Sequence, residues 1–280
     1  MYCESGCALA GAGTASEAWA INARGDVAGF TFLADNAQAA SWAGTTLTKL
    51  DTPSGANSSY AFGINDRGQV AGWSSTDSNI QAVLWNGTTP TGLGTLENNP
   101  SVAYAINERG QIAGRSTFSG SSTPHAALWN EGSSTPTDLG ALPGGGSSVA
   151  FAINDHGQAA GRSSFLAGSF DYHATVWNGN THTDLGTLGG DSSEANAINN
   201  SGQVVGWSDT DDGNNSATLW TGTEASGIND HGWIVGDAYN TMTEQTHAFL
   251  LTPVPEPEIY SMLLVGLGLM GLMARRKKIA

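Results

Sequence analysis

The chain has 280 residues, 39% of them apolar, with 38 glycines and a net charge of −15, enough for one or two folded domains and too apolar for disorder. Over residues 1–253 only six basic residues face 23 acidic ones, because Arg275, Arg276, Lys277 and Lys278 lie beyond, as do Glu256 and Glu258. A body that acidic repels phosphate backbones, which argues against nucleic acid as a partner.

Met1 to Glu17 has neither a basic start nor an apolar run of secretory length, so an export signal is expected upstream of Met1. Cys3 and Cys7 form a lone Cys-x-x-x-Cys pair, which is neither a zinc site nor a redox motif. From there one phrase recurs six times, anchored at Ile21, Ile64, Ile106, Ile153, Ile198 and Ile228, with spacings of 43, 42, 47, 45 and 30 residues. Such a period denotes a tandem array of one small supersecondary unit, each copy too small to bury its own apolar face.

Each unit opens with a strand ending in Ile-Asn, as in Ser148 to Asn154. A polar turn closed by glycine follows, such as Asn65-Asp66-Arg67-Gly68. Asn opens a type I turn, and the glycine takes φ > 0 as a bulge. A second strand carries an inner glycine (29, 72, 114, 161, 206, 236), whose missing side chain admits a neighbouring backbone. A third strand ends in Trp42, Trp85, Trp129, Trp177 or Trp220, with Leu251 in the last copy, and an Asn-Gly type hairpin leads on. A fourth strand is expected at Leu93–Leu96, Asp138–Leu142 and Asp184–Leu188, and the fifth copy lacks it, hence its short spacing.

Four short antiparallel strands in roughly 45 residues match a propeller blade. The predicted fold is all-β, a β-propeller of about six four-stranded blades over residues 1–252, with five or seven blades as alternatives and a linear β-solenoid as the competing architecture. Cys7-Ala8-Leu9-Ala10 aligns with a fourth strand and is expected to complete the last unit, closing the ring and removing exposed edges.

Few residues suggest chemistry. His125, His173 and His247 share one strand position, and His156 and His231 share one turn position, so recurrence assigns them to the fold. His182 belongs to a hairpin turn. No nucleophile elbow, metalloprotease helix or phosphate loop is present, and Gly144 to Gly146 form a connection between units. The chain reads as a non-enzyme without a cofactor. Asp209, Asp211 and Gly213 form the one candidate metal site, a calcium turn, although the bidentate Glu of an EF-hand is absent. Trp73 and Trp207 are candidate ligand-binding residues, placed to stack on sugar faces at a blade rim, with packing between blades as the alternative. A glycosidase would need paired carboxylates at ~5–10 Å. Asp66, Asp155 and Asp230 instead recur at one turn position, which favours a structural role.

After Thr252 the character changes. Residues 253–258, Pro-Val-Pro-Glu-Pro-Glu, read as an extended spacer, and Ile259 to Ala274 is uncharged. As a helix its 16 residues span ~24 Å, short of the ~30 Å hydrocarbon core. Snorkelling by the basic end and Tyr260 at the other interface make up part of the difference. A single transmembrane helix is expected over 259–280, crossing the inner membrane through 259–274 with its basic end cytoplasmic.

Val254, Pro255, Glu256 and Pro257, the apolar span, and Arg275, Arg276, Lys277 and Lys278 together resemble the PEP-CTERM sorting signal of Gram-negative bacteria. That resemblance implies an exosortase-type sorting enzyme as partner, cleavage near Pro255-Glu256-Pro257, and delivery to the cell surface or the extracellular biofilm matrix. The array, with His247-Ala248-Phe249 in full and His125-Ala126-Ala127 as a relative, resembles the HAF repeat family of extracellular proteins. Together they imply an exported protein, read as a binding or adhesive one, and Trp73 and Trp207 make extracellular polysaccharide the candidate ligand. A degenerate propeller enzyme acting on that polysaccharide is the alternative.

Overall fold

A computed structural model describes residues 15–33, 36–77, 79–95, 99–118, 123–220, 227–240 and 245–251, with 236–251 described by their backbone. Every regular element among them is a strand. Unit 1 comprises β1 (Ser16–Ile21), β2 (Asp26–Leu33), β3 (Asn36–Ala43) and β4 (Thr46–Lys49); unit 2 comprises β5 (Ser58–Ile64), β6 (Gln69–Ser75), β7 (Ile80–Asn86) and β8 (Thr89–Gly92). Unit 3 is β9 (Ser101–Ile106), β10 (Ile112–Thr117), β11 (Pro124–Trp129) and β12 (Thr137–Gly140); unit 4 is β13 (Ser148–Ile153), β14 (Gln158–Ser164), β15 (Tyr172–Asn178) and β16 (Thr181–Asp184). Unit 5 has β17 (Gly189–Ile198), β18 (Val204–Thr210) and β19 (Asn215–Leu219), and unit 6 has β20 (Gly227–Ile228), β21 (Ile234–Asn240) and β22 (Gln245–Leu251). Each unit is one antiparallel sheet with its strands in chain order.

The first turn of every unit forms as its residues dictate. The glycine N–H donates to the turn asparagine's carbonyl at 2.9–3.0 Å in all six copies, and these glycines sit at φ of 72–83°. The inner glycine has a different cause. It faces a bulge in the first strand, at Ala18/Ala20, Ala61/Gly63, Ala150/Ala152 and Ala195/Ala197, with the same shift opposite Gly114. A Cβ there would lie 1.8–2.0 Å from the first strand's carbonyl oxygen, on Glu17, Tyr60, Val102, Val149 or Glu194. No other residue fits so close an approach.

The fourth strands differ from expectation. β8 ends at Gly92 and β16 at Asp184, short of Leu93 and Leu185, whereas β12 runs through Leu139 to Gly140; Gly140 and Gly186 take φ of 71° and 70° and turn the chain out of the sheet. The leucines still anchor the exit, Leu93 N–H donating to the Ala82 carbonyl at 2.8 Å and Leu185 N–H to that of Ala174 at 2.9 Å.

The core lies between units. Five apolar clusters each take residues from two successive sheets, as where Ala71 and Ala82 of unit 2 pack with Ala103, Ile106 and Trp129 of unit 3. Trp42, Trp85, Trp129 and Trp177 are fully buried. Each indole removes on the order of 200 Å² from water, roughly 5 kcal/mol of gross transfer free energy. The buried Nε1 groups find partners on the preceding unit: Trp85 donates to the Asp51 carbonyl (2.8 Å), Trp129 to Gly94 (2.9 Å), Trp177 to Gly140 (3.2 Å) and Trp220 to Leu185 (2.7 Å).

One cavity separates ring from rod. Sheets stack about 10 Å apart, so five steps in a straight array would put its ends about 50 Å from each other. Ile21 of the first unit and Ile228 of the last instead line the same cavity, together with the other four anchor isoleucines. The six sheets therefore surround an axis with their first strands innermost, which is the propeller arrangement. Residues 1–14, including Cys3, Cys7 and the Cys7–Ala10 segment, lie outside the described residues, as do the 253–258 spacer, the 259–280 segment and the His247 side chain. Among the described residues no helix is long and apolar enough to cross a membrane.

Candidate functional site

The axial cavity holds about 620 Å³. Its wall is the ring of anchor isoleucines, and its mouth is formed by the first turns. The turn asparagines build that mouth into a directional ladder. Asn22 Nδ2 donates to the Asn65 carbonyl (3.0 Å), Asn65 to Asn107 (3.1 Å), Asn107 to Asn154 (2.9 Å), Asn154 to Asn199 (3.0 Å) and Asn199 to Asn229 (3.3 Å).

The next turn position forms a second ring. The backbone N–H of Ala23 donates to Asp66 Oδ1, that of Asp66 to Glu108 Oε1, that of Glu108 to Asp155 Oδ1, that of Asp155 to Asn200 Oδ1 and that of Asn200 to Asp230 Oδ1, all at 2.7–2.8 Å. Four carboxylates thus line the mouth, each with one oxygen engaged by the preceding unit. The recurrence of Asp66, Asp155 and Asp230 marked this position in the sequence. Glu108 and Asn200 share it and escaped notice because their side chains differ. The ladder escaped notice too: Asn in every copy fits a turn opener, and periodicity carries no sign of where its Nδ2 points.

Trp73 is partly buried and stacks on Tyr60 at 4.4 Å and 22°, while Tyr60 meets Phe30 of unit 1 at 4.8 Å. Trp207 is also partly buried, paired with Glu194 on β17 and Ala217 on β19. The two tryptophans stand in different units and are not brought together. Asp209 pairs across its hairpin with Asn215, whereas Asp212 receives the Thr210 hydroxyl and, at 3.3 Å, the Asn214 N–H. The Thr210 bond first, then the Asn214 side chain, hold the Asp212 carboxyl below its ordinary pKa. Gly213 takes φ of 79° at the turn. Among the described residues no group of three or more His, Cys, Asp or Glu side chains converges as metal ligands would.

Two histidines gain partners that the sequence did not reveal. His125 Nδ1 lies 3.0 Å from Asp138 and His173 Nδ1 lies 2.8 Å from Asp184, tying the third strand to the fourth. The Asp138 hydrogen bond raises the His125 pKa against the opposing effect of burial. For Asp138, burial acts upward, but the His125 and Gly140 hydrogen bonds prevail and lower its pKa. A row of aromatics at the bulges was also missed: Trp19, Phe62, Tyr104 and Phe151 meet in sequence at 4.9, 5.8 and 5.3 Å.

Residues 253–277 match the PEP-CTERM protein-sorting motif. The span includes Val254, Pro255, Glu256, Pro257, Arg275, Arg276 and Lys277, and Lys278 follows it. The signal indicates a secreted protein, membrane-anchored during sorting and then at the cell surface, and implies processing by an exosortase-type enzyme. No curated protein matches the chain. Among solved structures, TolB from Acinetobacter baumannii superposes with a TM-score of 0.47 at 13% identity, covering 73% of this chain and 54% of that one. The β-propeller domain of the Trilobed protease from Pyrococcus furiosus gives 0.43 at 10% identity, covering 61% and 51%. The chain spans about half the length of each.

Proposed function

We propose that this chain is a non-enzymatic binding or adhesive protein of the outer surface or extracellular matrix of a Gram-negative bacterium. In this reading residues 259–274 cross the inner membrane as one helix, with Arg275 to Lys278 cytoplasmic, until an exosortase-type enzyme cleaves near Pro255-Glu256-Pro257. The array is read as HAF-like repeats whose ligand is an extracellular polysaccharide. The sorting motif at residues 253–277 is the observation that carries this proposal. Binding is favoured over hydrolysis because each carboxylate at the axial mouth is already engaged by a backbone N–H of the neighbouring unit. A degenerate polysaccharide-cleaving enzyme is the weaker reading, since it needs two carboxylates free to act as acid and base.

The experiment compares the full chain with a variant lacking residues 253–280 in a host that carries the sorting enzyme. The full chain is expected at the surface or in the medium, shortened at its C-terminus, and the truncated chain elsewhere. Identical distribution of the two would refute the sorting claim. A glycan array probed with residues 1–252 then tests the ligand class, and binding to no polysaccharide would remove that part.

A further inference from the structure

Five junctions join the six units, yet the array carries a sixth pair of junction faces at its two ends. Val235 of unit 6 occupies the position held by Ala28, Ala71, Ala113, Ala160 and Val205, each 0% exposed, but is itself 48% exposed. On unit 1, Ala18 stands exposed where Ala61, Ala103, Ala150 and Ala195 are 0% exposed. Ile21 beside it is 69% exposed, against 9% for Ile106 and 8% for Ile198. At the formed junctions these two positions pack on each other, Ala28 with Ala61, Ala71 with Ala103, Ala113 with Ala150 and Ala160 with Ala195. The inner-strand parts of the two end faces, Ala18 and Ile21 on one and Val235 on the other, are thus the two halves of one interface, while Trp42 at the outer position of unit 1 is buried.

We propose that unit 6 docks on β1 of the same chain, and that this sixth junction is the one built to open. Ser16 argues for docking. It occupies the position of Ser59, Ser101, Ser148 and Ser193, whose hydroxyls accept a backbone N–H from the third strand of the preceding unit at 2.8–3.0 Å. On β22 the matching donor is the N–H of Ala248, aligned with Ala82 by its pairing to the second strand. The partner is the same chain because both faces border one cavity, through Ile21 and Asn22 on one side and Ile228 and Asn229 on the other. Tethered faces meet at an effective concentration far above that of free copies.

Ala23 argues for opening. Every other unit places an oxygen-bearing side chain there, Asp66, Glu108, Asp155, Asn200 or Asp230, to receive the preceding turn's N–H. Unit 1 offers a methyl group instead, so the sixth junction lacks a bond that the other five possess.

The test uses the full chain with Cys3 and Cys7 replaced by Ser, carrying Ala18→Cys and Val235→Cys. Ala71→Cys/Ala103→Cys, across a formed junction, is the reference pair. Under mild oxidation Ala18→Cys/Val235→Cys is expected to give a monomeric, intrachain disulfide whose yield is independent of protein concentration. Disulfide-linked oligomers would show that a second copy covers the face, and no bond while the reference pair cross-links would show that nothing does; either overturns the proposal. Hydrogen exchange supplies a second reading without cysteines. Val235→Asp puts a charge in the junction and is expected to speed exchange of β1 amides at least tenfold with β9 to β15 unchanged. Ala23→Asp restores the missing acceptor and is expected to slow β1 exchange by on the order of tenfold. Unchanged β1 exchange in both variants would also sink the proposal.

Discussion

Asn65 uses all four of its side-chain hydrogen-bonding positions. Its Oδ1 accepts from the Arg67 and Gln69 N–H groups at 3.1 and 3.0 Å, and its Nδ2 donates to Gln69 Oε1 at 2.8 Å and the Asn107 carbonyl at 3.1 Å. It is buried, so Asn65→Ala leaves several groups without partners and is expected to destabilise by about 3 kcal/mol, read from the urea midpoint. The exposed Asn229, at the end of the ladder, should cost less than half of that. A sharper contrast comes from two glycines. Gly72→Ala places a Cβ 1.9 Å from the Tyr60 carbonyl oxygen and should prevent the native hairpin or cost several kcal/mol, whereas Gly146→Ala meets only Ala167 Cα at 3.9 Å and should stay within about 0.5 kcal/mol. At this scale the sequence was half legible. The inner glycine announced a close approach by recurring where a strand should carry a side chain. The asparagine's reach into the next unit was hidden, since one side chain serves both its own turn and its neighbour.

At the scale of elements, the His125–Asp138 pair joins β11 to β12 where units 1 and 2 use a glutamine, Gln38 and Gln81 donating to the carbonyls of Leu50 and Leu93 at 3.0 and 3.4 Å. His125 has a folded pKa above its ordinary value, so its contribution is full below about pH 6.5 and fades as pH rises through the folded value. Asp138 has a folded pKa below its ordinary value, so its contribution is present above about pH 4 and fades as pH falls through the folded value. The pair therefore stabilises most between about pH 4 and 6.5. His125→Gln, which borrows the solution of units 1 and 2, is expected to flatten the dependence of Tm on pH between 5.5 and 8. Calorimetry at both pH values would show it, and an unchanged difference would mean that the pair contributes nothing. The histidines' shared strand position was readable from the repeat. Their partners were not, because Asp138 and Asp184 were read as the start of a fourth strand that in fact begins earlier, spanning Thr137–Gly140 and Thr181–Asp184. The exit at Gly140 and Gly186 depends on a positive φ, which composition alone does not distinguish from a strand glycine.

For the whole molecule, six copies and their three- or four-stranded content were legible from the period, but curvature was not. A period of roughly 45 residues suits a rod or a ring equally. Consistent with a ring, small alanines of the inner strands pack closely while a larger tryptophan of the third strand fills the same junction, as Ala103 and Trp129 do against unit 2. The acidic mouth was legible only in part, because the acids look like ordinary turn residues until the ring gathers them.

The asparagine ladder has one more implication. Every rung runs from a unit to its successor with the same donor, acceptor and polarity, so at this bond the five formed boundaries are chemical copies of one another. Excising one whole period, for instance residues 107–153, would bring Asn65 against Asn154, an acceptor of the same kind as the one it lost. Tandem duplication and loss by recombination in the coding DNA thus meet no penalty at the splice itself. Lineages carrying such arrays should differ in copy number more readily than in the motif.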